Sequence, residues 1–303
     1  MTVLLSILTS DIFPVFAIAA IGFLLERRMP GSVKLMSSVT FNALSPCLVF
    51  TQMVTTTMNS SNVGRMALYC VLLTAIMGLS GSLASIPLEI SGKSRSSFLL
   101  VVMFSNSGNY ALPVILFAFG REALAYASIY YVTSAVVLYT AGVFIAASGR
   151  GNLRQALMGI TRVPAIYALA LSGAIVLTHV KPPLMLIRPA GMLADAALPM
   201  MVLVLGMQLK RAVFPERPAR VVVAVALSLI VAPVAGIALT VLLGLSGAAR
   251  EAAIVLAAMP AAVITTILAL EFDLDSSFVT TVVFVSTLLS PFTLARLIAN
   301  LMK

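Results

Sequence analysis

The chain has 303 residues, of which 61% are apolar and only 10% charged, and its mean hydropathy is +1.11. Soluble domains carry about 25% charged residues, so there is too little polar material here to clothe a core of this size in water. No polar stretch is long enough to form a second domain, and the net charge of +9 is spread over short loops instead of forming the single basic stripe of a nucleic-acid binder.

Apolar runs of about 20 residues, the length that crosses a bilayer as a helix, occur at 4–25, 35–56, 66–88, 98–119, 123–147, 163–179, 187–209, 221–243, 252–270 and 277–299. The first is read as a span and not as a cleaved signal. Residues 1–10 carry no positive charge, while Glu26, Arg27 and Arg28 follow the run. Lipid cannot satisfy exposed backbone groups, so the spans are helices, and continuous runs do not fit the alternating strands of a barrel. The fold class is therefore all-α integral membrane, with about ten transmembrane helices. The segment 148–162 is a short basic loop between residues 1–147 and 163–303. Twelve of the 19 Lys and Arg fall in the odd-numbered loops, which places those loops in the cytoplasm and both termini outside. Cys47 and Cys70 lie in apolar segments and read as packing residues.

Three features repeat at a similar offset. Pro14 matches Pro164, Asn42-x-x-x-Pro46 matches Asp195-x-x-x-Pro199, and Arg95 matches Arg250. Five spans per repeat is an odd number, so the second half would enter the membrane from the opposite side, as in many secondary transporters.

The fourth run is polar at its middle, Phe104-Ser105-Asn106-Ser107-Gly108-Asn109-Tyr110-Ala111-Leu112-Pro113. Asn, Ser and Gly favour turns, and Pro113 removes a backbone donor, so a broken helix is expected. The ninth run holds Met259-Pro260-Ala261-Ala262-Val263-Ile264-Thr265-Thr266, a second proline break. Matching breaks in two inverted halves point to a transport site, and helix N-termini opened inside a membrane attract anions. The competing reading is a pair of proline kinks whose Asn and Ser bond neighbouring helices. The substrate-binding candidates are Ser105, Asn106, Ser107, Gly108, Asn109, Thr265 and Thr266, with Pro113 and Pro260 as helix breakers.

These two breaks, together with Asp195-Ala196-Ala197-Leu198-Pro199, resemble the auxin efflux carrier family over nearly the whole chain. That family includes the plant PIN-formed auxin carriers and bacterial transporters of malate- or malonate-like acids. The short 148–162 loop is similar to the bacterial members. The resemblance implies two inverted five-helix repeats whose broken helices four and nine cross at the substrate site. It also implies a scaffold of helices one, two, six and seven beside a moving unit, in a bacterial inner membrane. The family often has Asn soon after the ninth-span proline; here the position is Ile264.

Ionisable residues inside spans are costly unless used. Asp195 is the most deeply embedded and is matched by Asn42, so the two are coupling or gating candidates. Glu271, Asp273 and Asp275 read as a cap or gate at the cytoplasmic end of span nine. His179 stands alone in an outer loop, and the zinc-protease and phosphate-loop motifs are absent. The reading is a non-enzymatic carrier of a small organic anion, with no cofactor and no metal. A channel, a membrane sensor or a carrier of a non-carboxylate metabolite stand as alternatives. The expected partners are the anion, the bilayer and, through the scaffold helices, a second copy of the chain.

Overall fold

The computed structural model describes residues 6, 8–56, 60–147, 161, 163–178, 182–209 and 218–302. The basic loop 148–160, His179, and Lys210, Arg211 and Arg217 lie outside them. Among the described residues twelve helices follow in order: α1 Phe13–Arg28, α2 Ser32–Thr55, α3 Ser60–Ser85, α4 Gly92–Met103, α5 111–119, α6 121–146, α7 Pro164–Thr178, α8 Leu184–Leu209, α9 Pro218–Leu242, α10 Gly247–Ala257, α11 Ile264–Glu271 and α12 Ser276–Leu301. The helical stretch Ala111–Ala146 is divided into α5 and α6 at Gly120. Its φ of 78° is open to glycine and strained for an L side chain. Six helical stretches among the described residues are long and apolar enough to cross a membrane.

Prolines shape several helices locally. Proline offers no N–H to the carbonyl four residues earlier, and π-helical turns absorb such defects. Such turns stand at Leu8–Ile12, Thr40–Leu44 and Leu227–Val231, just before Pro14, Pro46 and Pro233. Pro189 and Pro199 sit inside α8.

The helices form two packed groups. In one, α1 crosses α8 and α2 packs on α7 and α8; in the other, α3 to α6 pack with α9 to α12. The α1–α8 crossing is made by glycines: a Cβ on Gly206 would stand 1.7 Å from the Ala19 carbonyl oxygen, and one on Gly22 would stand 2.0 Å from that of Leu203. Small residues let membrane helices approach until their backbones touch.

The second group shows paired devices. Arg65, near the start of α3, donates to the Gly244 carbonyl just past α9 at 2.9 Å. Arg220, near the start of α9, reaches the Leu88 and Glu89 carbonyls just past α3 at 3.4 and 3.5 Å. Cations there face carbonyls left over at helix ends. The helices α4 and α10 begin alike. Ser91 and Ser246 have φ, ψ of −134°, 170° and −138°, 164°, and the glycines that follow have φ of 56° and 53°.

Two acidic residues are used at helix ends. Glu26, only 4% exposed, accepts from the Gly31 N–H at 2.8 Å, the Ser32 hydroxyl at 3.1 Å and the Val33 N–H at 3.2 Å. It thereby caps α2 from the end of α1, a role that its place in a charged loop did not suggest. Glu26→Gln would turn an amide N–H toward those donors. Hydrogen bonds to charged groups contribute about 1.5–3 kcal/mol, and a loss of about that size is expected in denaturant unfolding of the purified protein. Asp275 caps α12, accepting from the Phe278 N–H at 3.0 Å. Asp273 pairs with Lys93, whose ammonium holds its carboxyl below the usual carboxylate range. Both are well exposed, so the pair adds little. What it adds is present at neutral pH and fades as pH falls through the lowered pKa.

Candidate functional site

Residues 104–110 and 258–263 interrupt the helical path in the middle of the second group, between α4 and α5 and between α10 and α11. The two interruptions pair with each other. Ser105 and Ala261 form an antiparallel bridge; the Asn106 N–H donates to the Pro260 carbonyl at 2.7 Å and the Ala262 N–H to the Phe104 carbonyl at 2.8 Å. Backbone groups freed by one break are thus satisfied by the other, as an apolar surrounding requires. The Ser105 hydroxyl adds a bond to the Leu256 carbonyl at 3.3 Å, and the Ala261 N–H one to the Ser286 hydroxyl at 3.2 Å.

The first break lies N-terminal to Pro113 rather than at it. α5 already includes Ala111 and Leu112, and Pro113 falls in its first turn, where a missing N–H costs no hydrogen bond. Pro260 lies within the second break and supplies the carbonyl that receives Asn106.

A cavity of about 340 Å³ ends on this crossing. The expected Ser105, Asn106, Ser107, Gly108 and Asn109 all line it. The opposite wall comes from the other packed group: Lys34, Ser37, Ser38 and Thr40 from α2, and Met201, Val204 and Gln208 from α8. Tyr131 of α6 covers the break. Its ring is so close to Gly108 that a Cβ there would stand 2.8 Å away, and its hydroxyl donates to Ser45 of α2 at 3.3 Å. The second break contributes an apolar wall of Ala262, Val263 and Ile264. Thr265 and Thr266 are not brought to the cavity. Thr265 is fully buried and its hydroxyl donates to the Ala262 carbonyl at 2.6 Å, so no hydroxyl replaces the amide that Ile264 lacks.

Lys34 is the one charged residue among the described residues lining this cavity. Two amide atoms recessed in its walls, Asn106 Nδ2 and Gln208 Oε1, have no protein partner. Buried polar groups are nearly always bonded, so unpartnered ones beside a cavity mark places for a ligand or water. Lys34 reads in the sequence only as one of the loop charges before the second span, and Ser37, Ser38 and Gln208 lie in runs read as apolar spans. Gln208 meets Ser37 at 3.5 Å across a separation of 171 residues.

Asn42 and Asp195 are not brought together at this cavity. The Asn42 side chain is exposed and donates to the Ser38 carbonyl and hydroxyl at 2.9 and 3.1 Å. Asp195 is exposed toward a second cavity, of about 250 Å³, lined also by Arg121, Thr51, Gln52 and Pro113. No group of three or more His, Cys, Asp or Glu among the described residues could hold a metal ion.

A lipid-suited helical bundle with two crossed breaks and a cavity walled by both packed groups has the architecture of a membrane transport protein. The profile of the family described as membrane transport protein matches the chain twice, over residues 7–156 and 150–298. The chain belongs to this family, that of the auxin efflux carriers, and carries two copies of its repeat. It is 26% identical over 290 residues to an uncharacterized transporter of Methanothermobacter thermautotrophicus, covering 93% of this chain and 94% of that one. It is 23% identical over 206 residues to an uncharacterized transporter of Methanocaldococcus jannaschii, covering 67% of each.

Proposed function

We propose that the chain is a carrier of small organic anions, carboxylates above all, working by alternating access of an elevator-like kind. The observation that carries this reading is the 340 Å³ cavity that ends on the crossing, with Lys34 as the only charged residue lining it among the described residues. The volume suits a small molecule. Lys34 offers the anion a positive charge, and Asn106, Ser107 and Asn109 offer short polar contacts beside the opening of α5. The cavity stops at the paired breaks instead of running through the bundle, which favours a carrier over a channel. Substrate contacts come from both packed groups. A movement of the second group, with its breaks, against α1, α2, α7 and α8 would carry the anion across while leaving behind Lys34 and Gln208. Asp195, facing the second cavity, is the coupling or gating candidate. Export down the membrane potential needs no coupling ion, whereas import needs one. The binding part is tested with purified protein. A carboxylate that binds raises the unfolding temperature with its concentration, and Lys34→Gln removes the shift. A panel of mono- and dicarboxylates that leaves the temperature unchanged would refute it.

We further propose that the architecture is ten spans in two inverted five-helix repeats, with α4–α5 and α10–α11 as spans four and nine. The reciprocal arginine clamps and the matching starts of α4 and α10 support it. The Lys34, Lys93 and Arg220 side is then cytoplasmic, and both termini face outward. Ser91 and Ser246 are both exposed and occupy equivalent places before α4 and α10. Ser91→Cys should react with an impermeant thiol reagent only from the cytoplasm and Ser246→Cys only from outside. Labelling of both from one side would exclude the inversion.

A further inference from the structure

The crossing separates two cavities of different charge. The cavity on the Lys34 face has Lys34 as its one charged lining residue among those described. The other, about 250 Å³, lies between α1, α2 and α8 on one wall and α5 and α6 on the other, and its charged lining residues are Arg121 and Asp195. Both are exposed. Arg121 follows Gly120, where the chain turns from α5 into α6. Asp195 stands four residues before Pro199, which lacks the N–H that a regular helix offers the Asp195 carbonyl. Its carboxylate and that carbonyl make this wall negative. Thr51, also in the lining, has a recessed hydroxyl oxygen without a protein partner.

We propose that the Arg121-face cavity is a second, weaker port for the same anion: Arg121 draws a carboxylate in, and the carboxylate of Asp195 keeps it from being held. The proposal rests on the carboxylate reading of the Lys34-face cavity. There a lone cation faces the anion; here a cation and a carboxylate offset each other. A unit charge about 7 Å from a bound anion, at effective dielectrics between about 20 and 80, changes its affinity by about 3- to 50-fold. The two ports therefore differ by at least about 3-fold, tight on the Lys34 face and loose on the Arg121 face, which favours capture at the first and release at the second.

The test reads local charge without needing transport. Cysteines are placed one at a time, as Ser38→Cys in the first cavity and Leu116→Cys in the second, in a chain carrying Cys47→Ala; Cys70 is fully buried. Each is modified by an anionic and a cationic methanethiosulfonate, and the ratio of rates is taken. The anionic-to-cationic ratio should be higher at Ser38→Cys than at Leu116→Cys. Asp195→Asn should raise the ratio at Leu116→Cys by about 3-fold or more and Arg121→Gln should lower it, with Ser38→Cys unmoved by either. Arg121→Lys, which keeps the charge, should leave it in place. Carboxylates should protect Ser38→Cys at lower concentration than Leu116→Cys, and Asp195→Asn should narrow that gap. Unchanged ratios in both Asp195→Asn and Arg121→Gln, or tighter protection at Leu116→Cys, would overturn the proposal. Failure of every carboxylate to protect either cysteine would overturn the anion-carrier reading itself, and the charge ratios would show the two failures apart.

Discussion

Asn106→Ala and Asn109→Ala are each expected to lower carboxylate transport by about 10- to 100-fold, the size of one lost hydrogen bond to a charged group, with folded protein still recovered. Asn106 is only 5% exposed and its backbone is held on both sides, by its N–H to Pro260 and by its carbonyl from Ala111. Those backbone bonds survive the substitution, so the crossing stays paired. What is removed is the amide whose Nδ2 has no protein partner, and removing an unpartnered group leaves no other group unsatisfied. Stability should therefore hold while transport falls. A residue that served only the fold would show the opposite pattern. Wild-type uptake by both purified variants would remove the break from the site.

Gly206→Ala is expected to have the largest effect on folding. The new Cβ would stand 1.7 Å from the Ala19 carbonyl oxygen and 2.5 Å from its carbon, and these atoms are backbone of α1, unable to rotate away. Overpacking of side chains costs about 1–3 kcal/mol, and a backbone clash at this crossing should reach or exceed the upper end. The variant should elute as aggregate on size exclusion, or melt well below wild type. Gly191→Ala in the same helix has open space around its Cβ and should be neutral or gain up to about 1 kcal/mol from helix propensity. Equal behaviour of the two would mean that α1 and α8 do not cross at these glycines.

The parts of the fold visible in the sequence are those that composition writes locally. The apolar runs mark the helices, and the run Ser105-Asn106-Ser107-Gly108-Asn109 marks the first break, because five small and polar residues in succession favour turns over helix. Proline was a weaker guide. Pro113 falls in the first turn of α5 instead of breaking it, and Pro199 and Pro291 remain inside helices. Hydroxyls misled for a related reason. Thr265 follows the second break, yet its hydroxyl turns back to the Ala262 carbonyl, a local bond that competes with any ligand. The wall opposite the break was not legible at all. Lys34 and Gln208 are brought there by the α2–α8 contact, and nothing near either residue in sequence records that contact. Glu26 was missed for another reason: its partners are only five to seven residues away, but they reach it only because of how α1 turns into α2.

Counterflow in proteoliposomes tests the central claim most directly. Vesicles holding the purified protein are loaded with an unlabelled carboxylate and diluted into a trace of the labelled one, and uptake is followed as the internal and external concentrations vary. A carrier with one site reached alternately from two sides should show saturable uptake, stimulated by internal substrate and strongly reduced by Asn106→Ala. Uptake that rises linearly with concentration and ignores the internal pool would mean a channel. No uptake of any carboxylate would contradict the anion-carrier account.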